Sequence, residues 1–369
     1  MMFLIITEDY PSIDNKYTMS YVHTRNVNYL RKGLNFIVLS FSAKKDYIYD
    51  NVQVITHDTF KRKFNTTSFP IIISHAPNLR NHFKFLKSNQ KLFKKIIFIF
   101  HGHEVLRRKN YYPAPFEYDK KNIYGEIIDQ LNDIYDVFKL RVIKSTIIKM
   151  LKNNKLYIVF VSEWMKAEFL KNTKIDKQLI EGKSTIISNS IHNAFIDNQF
   201  DFTCEKKADF VTIRPFDNPK YAIDVVVKLA KDNPNNTFHI YGNGRYFDYN
   251  KVPSNVKIFK EYINQRDIPD LLDHYRCAVM PTRLDSQGVM MCEIATYGMP
   301  IVTSDLFICK EMLRDFSNVK YINNDSIDKI NLSEFLESIE INEKKNLKFT
   351  LDNTVYKEIE LINCISNES

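Results

Sequence analysis

The chain has 369 residues, 44% of them apolar, and a net charge of +8 at neutral pH. That length exceeds one ordinary core and fits two domains of similar size, while the apolar content excludes a disordered chain. Five scattered cysteines with no CxxC pair (Cys204, Cys277, Cys292, Cys309, Cys364) fit a reducing cytosol and no structural zinc.

The charge is unevenly spread. Residues 1–200 hold 31 Lys/Arg against 18 Asp/Glu, a net +13, and residues 201–369 hold 21 against 26, a net −5. The first half is thus built to meet something anionic.

In chain order, MMFLIITEDYP opens as a short strand with acids close behind it, which does not read as a signal peptide. Apolar strand candidates follow at 36–41, 52–55, 71–74, 96–100, 156–162 and 185–188, with helix-like segments between several of them. None approaches the ~18 residues of a membrane span. A soluble cytoplasmic protein is expected, at most peripheral at the inner face of the membrane. The polar stretch 191–207 reads as a linker, and the strand pattern resumes at 210–213, 237–242, 256–259, 277–280, 300–303 and 319–322. Continuous Val/Ile-rich runs spaced by helices predict α/β architecture with parallel sheets buried on both faces. The expected division is 1–190, 191–350 and a final helix over 351–369, where Val355, Ile359 and Ile362 recur at helical spacing.

Two segments of the basic half, 79–95 and 139–155, carry six cations each and no acid, and both read as basic helices. In the second, Leu140, Ile143, Ile147 and Leu151 form one apolar stripe. Such helices suit an anionic membrane surface or a polyanionic acceptor, or else bury the stripe in the core. No nucleic-acid motif accompanies the charge.

The most informative segment is PTRLDSQGVMMCEIATYGMPIVTSD, residues 281–305. A loop carries Asp285, Gly288 opens a helix bearing Glu293, and Gly298 and Pro300 end it before a strand. A helix start with unused amides, here Gly288, Val289 and Met290, is a seat for an anion, flanked by two acids able to hold hydroxyls. Upstream, Arg214 follows a strand with Lys220 six residues on, and Asn218-Pro219 reads as the cap and first residue of a helix. Gly242 and Gly244 follow the strand at 237–242, but the third glycine of a dinucleotide fingerprint is Phe247. The Gly-Lys-Ser-Thr at 182–185 lacks the P-loop's upstream glycine and precedes a strand, so it reads as a surface turn. His101 ends a strand within His-Gly-His-Glu, for which no third metal ligand is evident.

Taken together these segments resemble the retaining GT-B glycosyltransferases of family four, in which two acids separated by seven residues mark the donor site. Asp285 and Glu293 keep that spacing, although the first position is usually Glu. The glycines usual beside the basic pair are Ile213 and Tyr221 here. The resemblance implies two Rossmann-like domains facing across a cleft, with the final helix crossing back to the first. It further implies transfer of a sugar, with retention, from a nucleoside-diphosphate-sugar donor to a glycan or lipid-linked acceptor, as in bacterial surface polysaccharide assembly. Arg214 and Lys220 would neutralise the diphosphate, Asp285 and His101 would hold the sugar, and Glu293 the ribose. Gly242, Gly244 and the segment around Lys260 would border the nucleotide. Neither metal nor cofactor is expected, since no Asp-x-Asp follows a strand. A GT-B subunit without catalysis, or a sugar-nucleotide epimerase on the same plan, are the rival expectations.

Overall fold

The computed structural model describes residues 2–15, 18–119, 123–327, 330–338 and 345–367, with the side chains of 123–127 outside the description. It divides into two units. One comprises Met1–Asn110, Asp129–Ser190 and Leu351–Ser369, the other Tyr111–Ile128 and Ile191–Thr350. A single cut near residue 190 therefore misses the excursion of Tyr111–Ile128 into the second unit.

The first unit holds an eight-stranded sheet built from β1 (Met2–Thr7), β2 (Asn35–Ser40), β3 (Tyr47–Tyr49), β4 (Val52–Ile55), β5 (Phe69–His75), β6 (Phe93–Phe100), β7 (Leu156–Phe160) and β8 (Ser184–Ile186). Its order is β3-β4-β2-β1-β5-β6-β7-β8, parallel throughout except for the antiparallel edge strand β3. The central strands are buried along nearly their whole length, as apolar runs covered on both faces must be. The final helix, Val355–Asn367, belongs to this unit. Its Glu358 lies buried against Arg25, which donates from Nε to both carboxylate oxygens at 2.8 and 3.0 Å, and against the Tyr29 hydroxyl at 2.6 Å.

The second unit holds a six-stranded, all-parallel sheet of β9 (Ala208–Ile213), β10 (Phe238–Tyr241), β11 (Val256–Phe259), β12 (Tyr275–Met280), β13 (Ile301–Ser304) and β14 (Val319–Ile322). The order is β11-β10-β9-β12-β13-β14. Each strand expected from the sequence is present, and β3 is an addition: its exposed Ile48 between half-buried tyrosines gave no continuous apolar run.

Four local expectations change. The basic helix at 79–95 stops at Ser88 after a π-helical first turn, because Phe93 onward pairs in β6, and Lys95 is buried with its ammonium on the Asn154 carbonyl. The helix Ile123–Lys152 does form, but Leu140, Ile143, Ile147 and Leu151 face the core of the first unit, so that stripe is not available to a membrane. The supposed linker at 191–207 is packed: Ile191, Phe195 and Phe200 are buried, and a short helix spans Asn193–Asp197. Asn218 caps a 3₁₀ turn, Pro219–Tyr221, and the helix proper (Ile223–Asp232) starts only after Ala222 turns through φ 51°.

Candidate functional site

In the second unit, sheet order reverses between β9 and β12, and the loops leaving the carboxyl ends of such strands are where open α/β sheets hold ligands. Arg214 leaves β9 and residues 281–288 leave β12, so topology alone brings the two candidate loops together. Side chains and backbone then tie them. The Lys220 carbonyl accepts from the Arg283 amide at 2.7 Å and from the Thr282 hydroxyl at 3.0 Å. The Arg283 guanidinium forms a two-pronged pair with Asp224, at 2.8 and 2.6 Å. Below them, Ser304 accepts from the Thr282 amide and donates to Asn324, whose amide returns to the Thr282 carbonyl.

Arg214 is buried at this junction. Its Nη1 donates to the carbonyls of Tyr221 and Pro281, which come from the two loops, while Nε is buried without a partner. Burial lowers its pKa to about 10, against the pull of Tyr221 and Asp285, so it stays cationic at neutral pH. Lys220 sits over the Tyr221 ring, 4.6 Å from its centroid. Burial works against its charge, but Tyr221 and Asp285 outweigh burial and raise its pKa overall. Two desolvated cations thus share the neighbourhood of one acid, Asp285.

Asp285 is not simply a free acid beside an anion seat. Its Oδ1 accepts from the amides of Ser286, Gln287 and Gly288 at 2.8, 3.1 and 2.8 Å. Those amides are therefore taken, which corrects the expectation that the amide of Gly288 awaits a ligand. The helix proper, Val289–Tyr297, starts after Gly288 at φ 71°, and its first amides, on Val289 and Met290, have no carbonyl one turn back to meet them. A Cβ on Gly288 would lie 2.9 Å from Met291 Cε in a backbone region side chains avoid.

Glu293, inside that helix, is 1% exposed. Its Oε1 accepts from the His192 amide at 3.0 Å and from Gln265 Nε2 at 2.5 Å, while Oε2 is buried with no partner. Burial raises its pKa to about 7, opposed by those two donors. One oxygen is thus engaged by the scaffold and the other is left over, an unusual condition for a buried carboxylate.

The glycines after β10 serve the Arg214 loop. Gly242, at φ 148°, lies so close to it that a Cβ would fall 2.0 Å from the Arg214 carbonyl oxygen. A Cβ on Gly244 would meet the Asp217 amide at 2.8 Å. The Lys260 side chain is exposed and paired with Asp248 at 2.8 Å.

His101 lies in the first unit, past the end of β6. Its ring lies tilted against that of Tyr21 with centroids 4.5 Å apart, and its Nε2 is 3.4 Å from His75 Nδ1. Glu104 closes the turn by accepting from the amides of His101 and Gly102, so this acid is engaged by the backbone. Burial, then Arg25 and the neighbouring histidines, hold His101 well below the usual imidazole range, and it is neutral at pH 7. Among the described residues no group of three His, Cys, Asp or Glu could hold a metal ion.

Sequence reasoning missed His192, Gln265, Tyr221 and the Arg283–Asp224 pair. Gln265 and Tyr221 gave no signal, since one opens a short 3₁₀ turn and the other replaces a usual glycine. Arg283, a cation inside the acid-bearing loop, could have been found.

Residues 211–351 match the family model for glycosyl transferases group 1. The matched residues coincide with the second unit's sheet and its two loops. Solved structures similar to the whole chain include sucrose-phosphate synthase from Thermosynechococcus elongatus (TM-score 0.68, 9% identity, all of both chains covered). TarM aligns with TM-score 0.66 and 11% identity over 99% of this chain and 98% of its own. Anabaena HepE, solved with UDP and glucose, aligns with TM-score 0.63 and 11% identity over 99% of this chain and all of its own. At such identities the likeness shows the fold, which is GT-B: two parallel-sheet α/β domains. A 41.2 kDa protein from the cps region of Klebsiella pneumoniae is 22% identical over 165 residues, 43% of this chain. The match spans only 45% of that relative's length.

Proposed function

We propose that the chain is a glycosyltransferase that moves a sugar from a nucleoside-diphosphate-sugar to a hydroxyl of a glycan or lipid-linked acceptor, with retained anomeric configuration. The observation that carries this reading is the meeting of Arg214, Lys220 and the start of the Glu293 helix at one sheet switch point, with a buried carboxylate oxygen left over.

In this reading the two cations and the amides of Val289 and Met290 neutralise the diphosphate as it departs, work that a metal does elsewhere. The left-over Oε2 of Glu293 accepts from the ribose diol. The second oxygen of Asp285, and His101 as the resemblance implies, hold the sugar. A neutral imidazole suits that task, because it can donate without adding charge. The Asp285-capped turn withdraws three amides from the site and fixes the loop, which is preorganisation of the kind electrostatic catalysis needs. HepE was solved with UDP and glucose, and the Klebsiella relative comes from a cps region. Both favour a sugar nucleotide and a surface polysaccharide pathway.

Thermal-shift screening with UDP-, GDP- and ADP-sugars tests the donor: one of them should stabilise the protein and be slowly hydrolysed. Silence across the panel would favour a GT-B subunit without catalysis. The anomeric configuration of the product, read by NMR, decides retention.

A further inference from the structure

Among the described residues, four of the ten most exposed large apolar side chains lie on one helix: Ile128, Leu131, Ile134 and Phe138, at 53, 60, 67 and 57% exposure. They are not the stripe that packs into the core. Leu140, Ile143, Ile147 and Leu151 occupy the opposite side of the same helix. A soluble helix with one buried stripe normally carries polar residues on its other face.

The exposed row continues past Phe138. Steps of three and four residues run Leu131, Ile134, Phe138, Arg141, Ser145, Lys149, Lys152, and every one of these is exposed. At 1.5 Å per residue the row is roughly 30 Å long. Its first half is apolar, its second half carries three cations, and no acid interrupts it. Apolar side chains that insert and cations that follow along one line are what an anionic bilayer surface accepts. A second copy fits worse. A parallel two-fold pairing would set the cations against each other, and an antiparallel one that matches the apolar halves would leave the cations with no partner.

We propose that the exposed row Leu131–Lys152 is a docking surface for an anionic lipid bilayer, the apolar half entering the headgroup boundary and the basic half lying along it. This does not depend on the transfer reading and can fail or hold separately from it.

The test is co-sedimentation of the full chain with phosphatidylcholine vesicles, with and without phosphatidylglycerol, at low and high salt. The chain should partition onto the anionic vesicles, less so at high salt and much less onto neutral ones. The variant Arg141→Gln/Lys149→Gln/Lys152→Gln should bind anionic vesicles about a hundredfold more weakly, on the order of fivefold per cation. Leu131→Gln/Ile134→Gln/Phe138→Gln should lose binding as well, both variants keeping the parent's circular dichroism. Phe138→Trp, a milder change, should show a blue-shifted emission on adding anionic vesicles, beyond any shift of the parent's single tryptophan, Trp164. Absent partition, equal partition onto neutral vesicles, undiminished binding by either triple variant, or no added shift in the Phe138→Trp variant would overturn the proposal. So would a dimer that the apolar triple variant breaks and that ignores vesicles.

Discussion

Glu293→Gln separates the two demands placed on this buried acid. In the unfolded chain the carboxyl titrates near 4.5, and in the fold burial penalises its charged form and raises the value to about 7. The folded value is the higher one. The stabilising contribution is therefore complete below pH 4.5 and lost as pH rises through about 7. At 1.36 kcal/mol per pKa unit the whole effect is roughly 3 kcal/mol, most of it falling between pH 5 and pH 8. Glutamine is isosteric, its oxygen can keep both the His192 amide and Gln265, and it does not ionise. The variant should thus match the parent near pH 5 and melt higher near pH 8, by on the order of 10 °C for a unit of this size. Calorimetry across that range measures the gap directly. The same substitution should weaken donor binding by about 1.5–3 kcal/mol for each charged hydrogen bond lost to the ribose. A melting gap that is constant with pH would refute the burial argument. Unchanged donor affinity would refute the ribose assignment while leaving the burial argument intact.

Arg214→Ala should lower turnover far more than donor affinity, and steady-state kinetics showing an unaltered turnover number would remove it from the leaving-group site. Gly242→Ala forces a Cβ to within 2.0 Å of the Arg214 carbonyl, so overpacking should cost about 1–3 kcal/mol in denaturant titration and also weaken donor binding. Glu358→Ala strands the fully buried Arg25 guanidinium and should cost the first unit about 3–5 kcal/mol, readable by chemical unfolding, whereas donor affinity should stay unchanged. Incubation with a chelator should leave transfer intact, and loss of activity restored by a divalent cation would contradict the assignment of the charge-neutralising role to Arg214 and Lys220.

Much of the architecture was legible because parallel strands covered on both faces are written as runs rich in apolar residues, and thirteen such strand candidates, a few broken by one polar residue, stand in the sequence. β3 escaped because an antiparallel edge strand needs only alternate burial. The site was legible where one side chain announces its chemistry, as with Arg214, Lys220, Asp285 and Glu293. It was illegible where the contact is made by backbone. The His192 amide on Glu293 comes from a stretch that reads as a linker, and nothing in the identity of residue 192 encodes an N–H bond to an acid 101 positions away. The segment around Lys260 was singled out through the resemblance alone, and the Lys260 side chain itself pairs at the surface with Asp248, twelve residues before it.

The residues that stand where the resemblance expects glycines or glutamate make their own local contacts in this chain. A glycine after Lys220 would supply a left-handed turn at no steric cost. Here Tyr221 stands in that position, and Ala222 carries a positive φ, which costs about 1–2 kcal/mol. The tyrosine side chain adds one contact that a glycine could not: its ring lies under the Lys220 ammonium, and it helps raise the Lys220 pKa. Aspartate at 285 works similarly. Its short side chain folds back onto the three amides that follow it, where a longer acid would project further from its own turn. Both residues add fixed side-chain contacts within the two loops. They preserve the feature on which the proposed chemistry depends, two desolvated cations held beside one helix start before any ligand arrives.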